Sequence, residues 1–203
     1  MELGRTFFSA VTGPWYRAGL LALISVFPAQ AAVADQCIQP DELKIQTLDR
    51  SFVQERFLAG MAAPLRSEGR LQVVPDKITW HMTKPFDVAT VLTPTSITQS
   101  VDGGPPQPTG PDGSDLSASI ARIFGSLLQG RWSELQSVFQ VARDPVPTGA
   151  PWSVSLAPID PQMQKILGKI EVLGCTDIST IRIDHQNGDH DVITFAPAGA
   201  PAP

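Results

Sequence analysis

Only two cysteines and three histidines occur in 203 residues, and no familiar catalytic signature accompanies them. There is no H-E-x-x-H and no C-x-x-C, so neither a helical zinc site nor a dithiol redox pair is encoded. There is no G-x-S-x-G elbow, no phosphate-binding loop and no dinucleotide fingerprint, and no serine is marked by its surroundings as a nucleophile. Basic charge is short as well. Lys and Arg number 15 against 20 Asp and Glu, a net charge of −5. That balance argues against nucleic-acid binding through the overall field and against a polybasic membrane-surface protein. Long apolar runs are missing too: Ala18–Phe27 is ten residues, where a bilayer needs about 20.

What is present begins with a targeting pattern. Arg5 and Arg17 precede the Ala18–Phe27 run, and small residues follow in Ala29-Gln30-Ala31 and Ala32-Val33-Ala34. Basic, apolar, then A-x-A is the layout of a secretory signal peptide. Cleavage is expected after Ala34, with Ala31 as the rival site, leaving an exported chain over 35–203 with a net charge of −6. Cys37 follows Ala34-Asp35-Gln36, which does not fit a lipoprotein cleavage site. Val172-Leu173-Gly174-Cys175 has that form but is internal, and reads as coincidence. In an oxidising compartment the even pair Cys37 and Cys175 suggests a disulfide; two unpaired thiols are the alternative. About 160 residues suffice for one domain with its own core.

Short β-prone runs dominate the rest. Ser51–Leu58 is a strand candidate, and Ser67–Phe86 reads as two strands joined at Pro75-Asp76. Leu71 and Val73 share one face of the first; Ile78, Trp80 and Met82 share one face of the second. Val88–Thr93, Ser96–Val101, Leu135–Arg143, Trp152–Leu156, Ile170–Leu173 and Thr180–Asp184 continue the pattern. Asn187-Gly188, between IRID and DVITF, is the strongest hairpin signal. Pro40–Leu48, with Asp41 as a cap, and Pro161–Lys169 are expected to be short helices. Asp102–Asp115 holds four Pro and four Gly and reads as a mobile loop. Behind it, Leu116–Leu128 has apolar residues at helical spacing, with Ser114 or Asp115 as cap: either a core helix or a cover that moves. The tail 196–203 is all Ala, Pro and Gly and is expected to be disordered and flexible, leaving 35–195 as the one folded domain. The whole is α+β and mainly β: a curved antiparallel sheet with helices on one face.

Candidate chemistry is sparse. His185 and His190 fall in Asp184–Asp191 beside the hairpin tip, where a metal site and an ordinary polar tip both fit, the tip being favoured. His81 alternates with Trp80 and Met82 and so faces away from the apolar side. No metal and no cofactor is expected, nor an enzyme. The apolar face is the informative feature. Phe52, Phe57, Leu71, Val73, Ile78, Trp80 and Met82 from strands, with Ile120, Phe124 and Leu127 from the helix, form either a filled core or the lining of a cavity that receives lipid chains.

Phe52-Val53-Gln54, Gly69-Arg70-Leu71, the run Trp80-His-Met-Thr-Lys-Pro85 and Asp102-Gly103 occur in an order and spacing that resembles the LolA family of periplasmic outer-membrane lipoprotein carriers. The late region, with Trp152-Ser-Val-Ser-Leu156, Asn187-Gly188 and Ile193-Thr-Phe195, looks more like a divergent branch of that family. The resemblance covers most of 40–195. It implies an unclosed antiparallel half-barrel, a helical lid over an apolar cavity, and a monomeric carrier. The partners it implies are an acylated lipoprotein as cargo, an inner-membrane release complex and an outer-membrane receptor. Carriage of a polyene or glycolipid, and a half-barrel sensor domain binding a protein partner, are the alternatives. Where the well-studied members have a basic residue before the proline of the β-turn, this chain has Val74, so control of the lid by that residue does not carry over.

Overall fold

A computed structural model describes residues 36–109, 114–161, 163–165 and 167–200, with the backbone alone for 114–117. The proposed signal segment and the cap at Ser114 or Asp115 lie outside what is described.

Eleven strands form one antiparallel sheet: β1 (Leu48–Phe57), β2 (Leu65–Val74), β3 (Lys77–Lys84), β4 (Val88–Leu92), β5 (Ile97–Val101), β6 (Gln107–Pro108), β7 (Phe139–Arg143), β8 (Trp152–Pro158), β9 (Leu167–Gly174), β10 (Ile178–His185) and β11 (His190–Phe195). Their spatial order is β6-β5-β4-β3-β2-β1-β11-β10-β9-β8-β7. The first and last strands pair in the middle, and β6 and β7 are the two free edges, so the sheet is an unclosed half-barrel. Helices α1 (Ser114–Leu128) and α2 (Trp132–Leu135) lie between β6 and β7 in the chain. A connection from one edge to the other must cross a face, and the apolar stripe of α1 decides which face.

Register explains that choice. Phe52 pairs with Gly69 and with Phe195; Leu71 pairs with Trp80, and Val73 with Ile78. Ile78 pairs with Leu92, and Leu92 with Ile97. Strand alternation then puts all of these on one face with Ile193, and β8 follows with Trp152, Val154 and Leu156 buried at alternate positions. That face is concave and carries the core. Trp132 and Leu135 of α2 and Leu43 are buried with it. The Trp132 and Trp152 rings meet edge to face at 6.3 Å, and each indole N–H donates to a backbone carbonyl, of Pro40 and of Cys175. Cys37 is disulfide-bonded to Cys175, 138 residues away, which holds the start of the described chain on the β9–β10 turn. Beside it, Arg50 pairs with Asp177 and donates to the Ala196 carbonyl, and burial pulls its guanidinium below the ordinary Arg range.

Four local readings are corrected. Pro40–Leu48 is not a helix: one 3-10 turn spans Pro40–Glu42, its N-cap is Gln39 rather than Asp41, and Leu48 already opens β1. Leu135 is not in a strand. It ends α2, because Trp132 and Leu135 at i, i+3 both turn into the core. Pro161–Lys169 keeps only a 3-10 turn at Met163–Lys165, since pairing with β10 draws the chain into β9 from Leu167. A weak seven- to nine-residue helix cannot compete with a full strand ladder. The Gly-Pro segment contains the two-residue edge strand β6, paired with Thr98 and Gln99.

Candidate functional site

The concave face on the β1–β5 side is built around a missing side chain. Gly69 stands opposite Phe52, and a Cβ there would lie 2.8 Å from Phe52 Cζ and would collide with the His81 carbonyl oxygen. The vacancy lets the Phe52 ring reach across β2 to Trp80, centroid to centroid 4.1 Å. Trp80 in turn receives the edge of Phe124 from α1 at 5.9 Å. Three aromatic rings thus join the central strand, β3 and the helix.

The ten residues read as a cavity lining divide into three groups. Phe52, Leu71, Val73, Ile78 and Leu127 are buried, Leu71 and Val73 completely. Trp80, Met82, Ile120 and Phe124 are half-buried and pack on that core. Phe57 belongs elsewhere: it is five positions from Phe52, so strand alternation turns it to the opposite face, where it stacks on the His190 ring at 4.5 Å. Around Phe52, Leu71 and Val73 the interior is therefore filled by the chain's own side chains. Space opens further along α1, in a cleft of about 490 Å³ between α1, the β2–β3 turn and the β4–β5 turn. Of the ten, only Ile78 lines it. Its helical wall is Ala118, Ala121 and Gly125, three small residues at i, i+3 and i+7. That spacing was visible in the sequence, but small residues carry no hydropathy signal of their own.

The two ends of the sheet differ. The end holding the β1–β2, β3–β4 and β8–β9 connections exposes Met61, Leu65, Phe86, Val101 and Ile159, with Phe86 71% accessible. Half-buried Met82 and Val88 lie just inside it, paired with each other. Toward β10 the same face becomes polar. Asp191, 5% exposed, accepts from Gln54 at 2.9 Å, lies 2.7 Å from His185 Nε2 and has Arg56 at 3.7 Å. Apolar surface at this end is thereby concentrated on the β2–β5 side.

The candidate polar tip has specific partners. Asp189 accepts the Ala59 N–H at 2.8 Å, which ties the β1–β2 loop to the β10–β11 turn and lowers its carboxyl below the usual range; the Asn187 amide adds to this. Gly188, at φ +89°, supplies the left-handed residue of that turn. His81, on the other face from Trp80, meets Asp87 at 3.0 Å. Among the described residues, no group of three His, Cys, Asp or Glu could hold a metal ion, and no helix is long and apolar enough to cross a membrane.

The fold defined here is an open antiparallel sheet whose concave face is crossed by a helix. The chain is similar to a LolA superfamily protein from Nitrosomonas europaea, NE2245, with 8% sequence identity and a TM-score of 0.43 over 77% of this chain and 88% of that one. It is also similar to a domain from Vibrio parahaemolyticus whose name assigns it to outer membrane lipoprotein sorting, with 10% identity and a TM-score of 0.34 over 75% and 87%. No family model and no curated protein matches the chain.

Proposed function

We propose that the chain is a periplasmic carrier that shields acyl chains on its concave face and moves lipoproteins from the inner to the outer membrane. One observation carries this reading. Half-buried Trp80, Met82, Ile120 and Phe124 form a strip of large soft side chains, lying between the filled core and the end of the sheet that exposes Met61, Leu65, Phe86 and Val101. Soft, aromatic, half-covered surface suits a ligand that must be held and then released. The physical need is plain: each methylene kept from water is worth about 0.8 kcal/mol, so an acyl chain does not cross an aqueous space unescorted. Because the interior around Phe52, Leu71 and Val73 is filled, the carrier works by letting the Ile120–Phe124 part of the helix move off Trp80. The motif set Phe52-x-Gln54, Gly69-x-Leu71 and Trp80…Pro85 supports the same reading.

Mass spectrometry of lipid co-purified with the exported chain separates a lipoprotein cargo from a glycolipid or polyene cargo. Trp80→Asp and Phe124→Asp each place a charge on the strip, and extraction of acylated lipoprotein from membranes should fall at least about tenfold, a loss of about 1.4 kcal/mol. Extraction at the parental level by both variants removes the strip from the function.

A further inference from the structure

The cleft of about 490 Å³ lies at the opposite end of the sheet from the exposed apolar rim, and its chemistry differs from that of the aromatic strip. Its floor is Ile78 and Leu92, both largely buried, with Val74 at the edge. Its wall is low because α1 presents Ala118, Ala121 and Gly125 there; a Cβ on Gly125 would have Ile78 Cδ1 at 3.6 Å and Arg131 Nη2 at 3.9 Å. Three cations line the same cleft, Lys77, Arg122 and Arg131, against one carboxylate, Asp76. In a chain of net charge −5 this is a local reversal of sign. Arg131 is already engaged, with Glu134 at 3.3 Å, and Glu134 also accepts the Ser126 hydroxyl at 2.7 Å. Arg122 has the Ser119 hydroxyl at 3.3 Å and no ion pair among the described residues, and Lys77 has none there either. Two cations with no ion pair among the described residues therefore stand beside an apolar floor, in a space of the size that small ligands occupy.

We propose that this cleft binds a single-chain amphiphile with a carboxylate head, a fatty acid anion. The tail lies on Ile78, Leu92 and the Ala118–Ala121–Gly125 wall, and the head lies between Lys77 and Arg122. A carboxylate head on an apolar tail uses both the cations and the apolar floor; inorganic phosphate, which has no tail, gains nothing from Ile78 and Leu92. The site goes beyond the carrier reading. It uses other residues at the other end of the sheet, and its readout is a soluble ligand rather than extracted cargo, so the two fail separately.

The test is calorimetric titration of the full chain with hexadecanoate below its micelle concentration, with hexadecanol and inorganic phosphate as comparisons. Hexadecanoate should bind at least about tenfold tighter than hexadecanol, and phosphate alone should give no measurable heat. Lys77→Gln combined with Arg122→Gln alters only exposed side chains; it should weaken hexadecanoate about tenfold and leave hexadecanol unchanged. Ala118→Leu, which narrows the cleft with a good helix former, should weaken both. Equal affinity for acid and alcohol overturns the proposal. So does a double variant that binds hexadecanoate as the parent does, and so does phosphate binding as tightly as hexadecanoate, which would make the cleft a plain anion site.

Discussion

Replacing Gly69 with alanine tests whether the aromatic strip is set by the vacancy opposite Phe52. The added methyl would meet the His81 carbonyl oxygen, a backbone atom of the paired strand, well inside any contact that real Cβ atoms make, with Phe52 Cζ at 2.8 Å and Met82 Cα at 2.9 Å. Two of the three are backbone atoms, and the third is the tip of a packed ring. Phe52 is 1% exposed and already lies against Trp80. Room can come only by parting β2 from β3, at the point where the register already shifts between Glu68 and Gly69. Overpacking of this kind costs up to about 3 kcal/mol, and the lower chain entropy of alanine returns about 0.5–1 kcal/mol, for a net loss of about 2 kcal/mol. Trp80, Trp132 and Trp152 report urea unfolding by fluorescence. With a slope of about 2 kcal/mol per molar, the midpoint should drop by about 1 M. A drop below about 0.3 M would refute the geometric argument. Phe52→Leu should not rescue the variant, because the nearest obstacle is the His81 carbonyl rather than the ring. The two losses should therefore add within about 0.5 kcal/mol; rescue by more than about 1 kcal/mol would move the cause to Phe52.

Two further outcomes follow from the bridge and the surface carboxylates. Closing a loop of 138 residues restricts the unfolded chain by about 5 kcal/mol in the chain-entropy picture, so Cys37→Ser with Cys175→Ser should lower stability by several kcal/mol, and reductant should reproduce the shift in the parent. A loss under about 1 kcal/mol would mean that the unfolded chain is not restrained by the bridge. Asp49, Glu68 and Asp189 are all held below their ordinary range: by the hydrogen bond from Arg70, by that from Lys84 and then Arg66, and by the Ala59 N–H. Their folded values lie below the unfolded ones, so what they contribute is present above about pH 4 and is lost as pH falls through the folded values. Melting temperature followed from pH 6 to pH 2 should therefore decline below about pH 4, and Asp189→Asn should make that decline shallower. An unchanged decline would separate the Ala59 contact from acid stability.

Most of the sheet was legible because its strands repeat with period two and end at strong turn residues. The Pro75-Asp76 turn is an example: proline fits the first central place, and Asp76 takes the left-handed one at φ +61°. Asn187-Gly188 works the same way, with Gly188 at positive φ. What period cannot show is which strands meet. That β1 closes on β11, and that α1 and α2 bridge two free edges, depends on contacts across more than a hundred residues. The errors have the same origin. Phe57 is apolar and follows Phe52 closely, but five positions on a strand reverse the face, and a list of apolar residues ignores that parity. Leu135 and the 161–169 segment were set by what they touch, α2 against the core and β9 against β10. The cleft was illegible for a different reason: alanine, glycine and scattered cations announce nothing until the β2–β3 turn is brought beside them.

The two halves of α1 are held with different strength, and under the proposed carrier function this would decide how a filled fold takes up a ligand. At its C-terminal end Leu127 and Leu128 are fully buried, and the Ser126 hydroxyl donates to Glu134. Two leucines there represent about 3–6 kcal/mol, so this end stays in place. Ile120, Ile123 and Phe124 are half-buried, and among the described residues nearer the start of the helix Ala118 is a small residue of the cleft wall. Exposing half of an isoleucine and half of a phenylalanine, and losing one edge-to-face ring contact, costs about 2–4 kcal/mol. Three to five methylenes of an acyl chain offset that at about 0.8 kcal/mol each. Under the proposed carrier function, a chain longer than this would favour the open helix and a shorter one would leave it closed. The threshold follows from Phe124 resting on Trp80 while Leu127 and Leu128 anchor the turn behind it, so in that proposal the same helix would serve as both part of the core and its door.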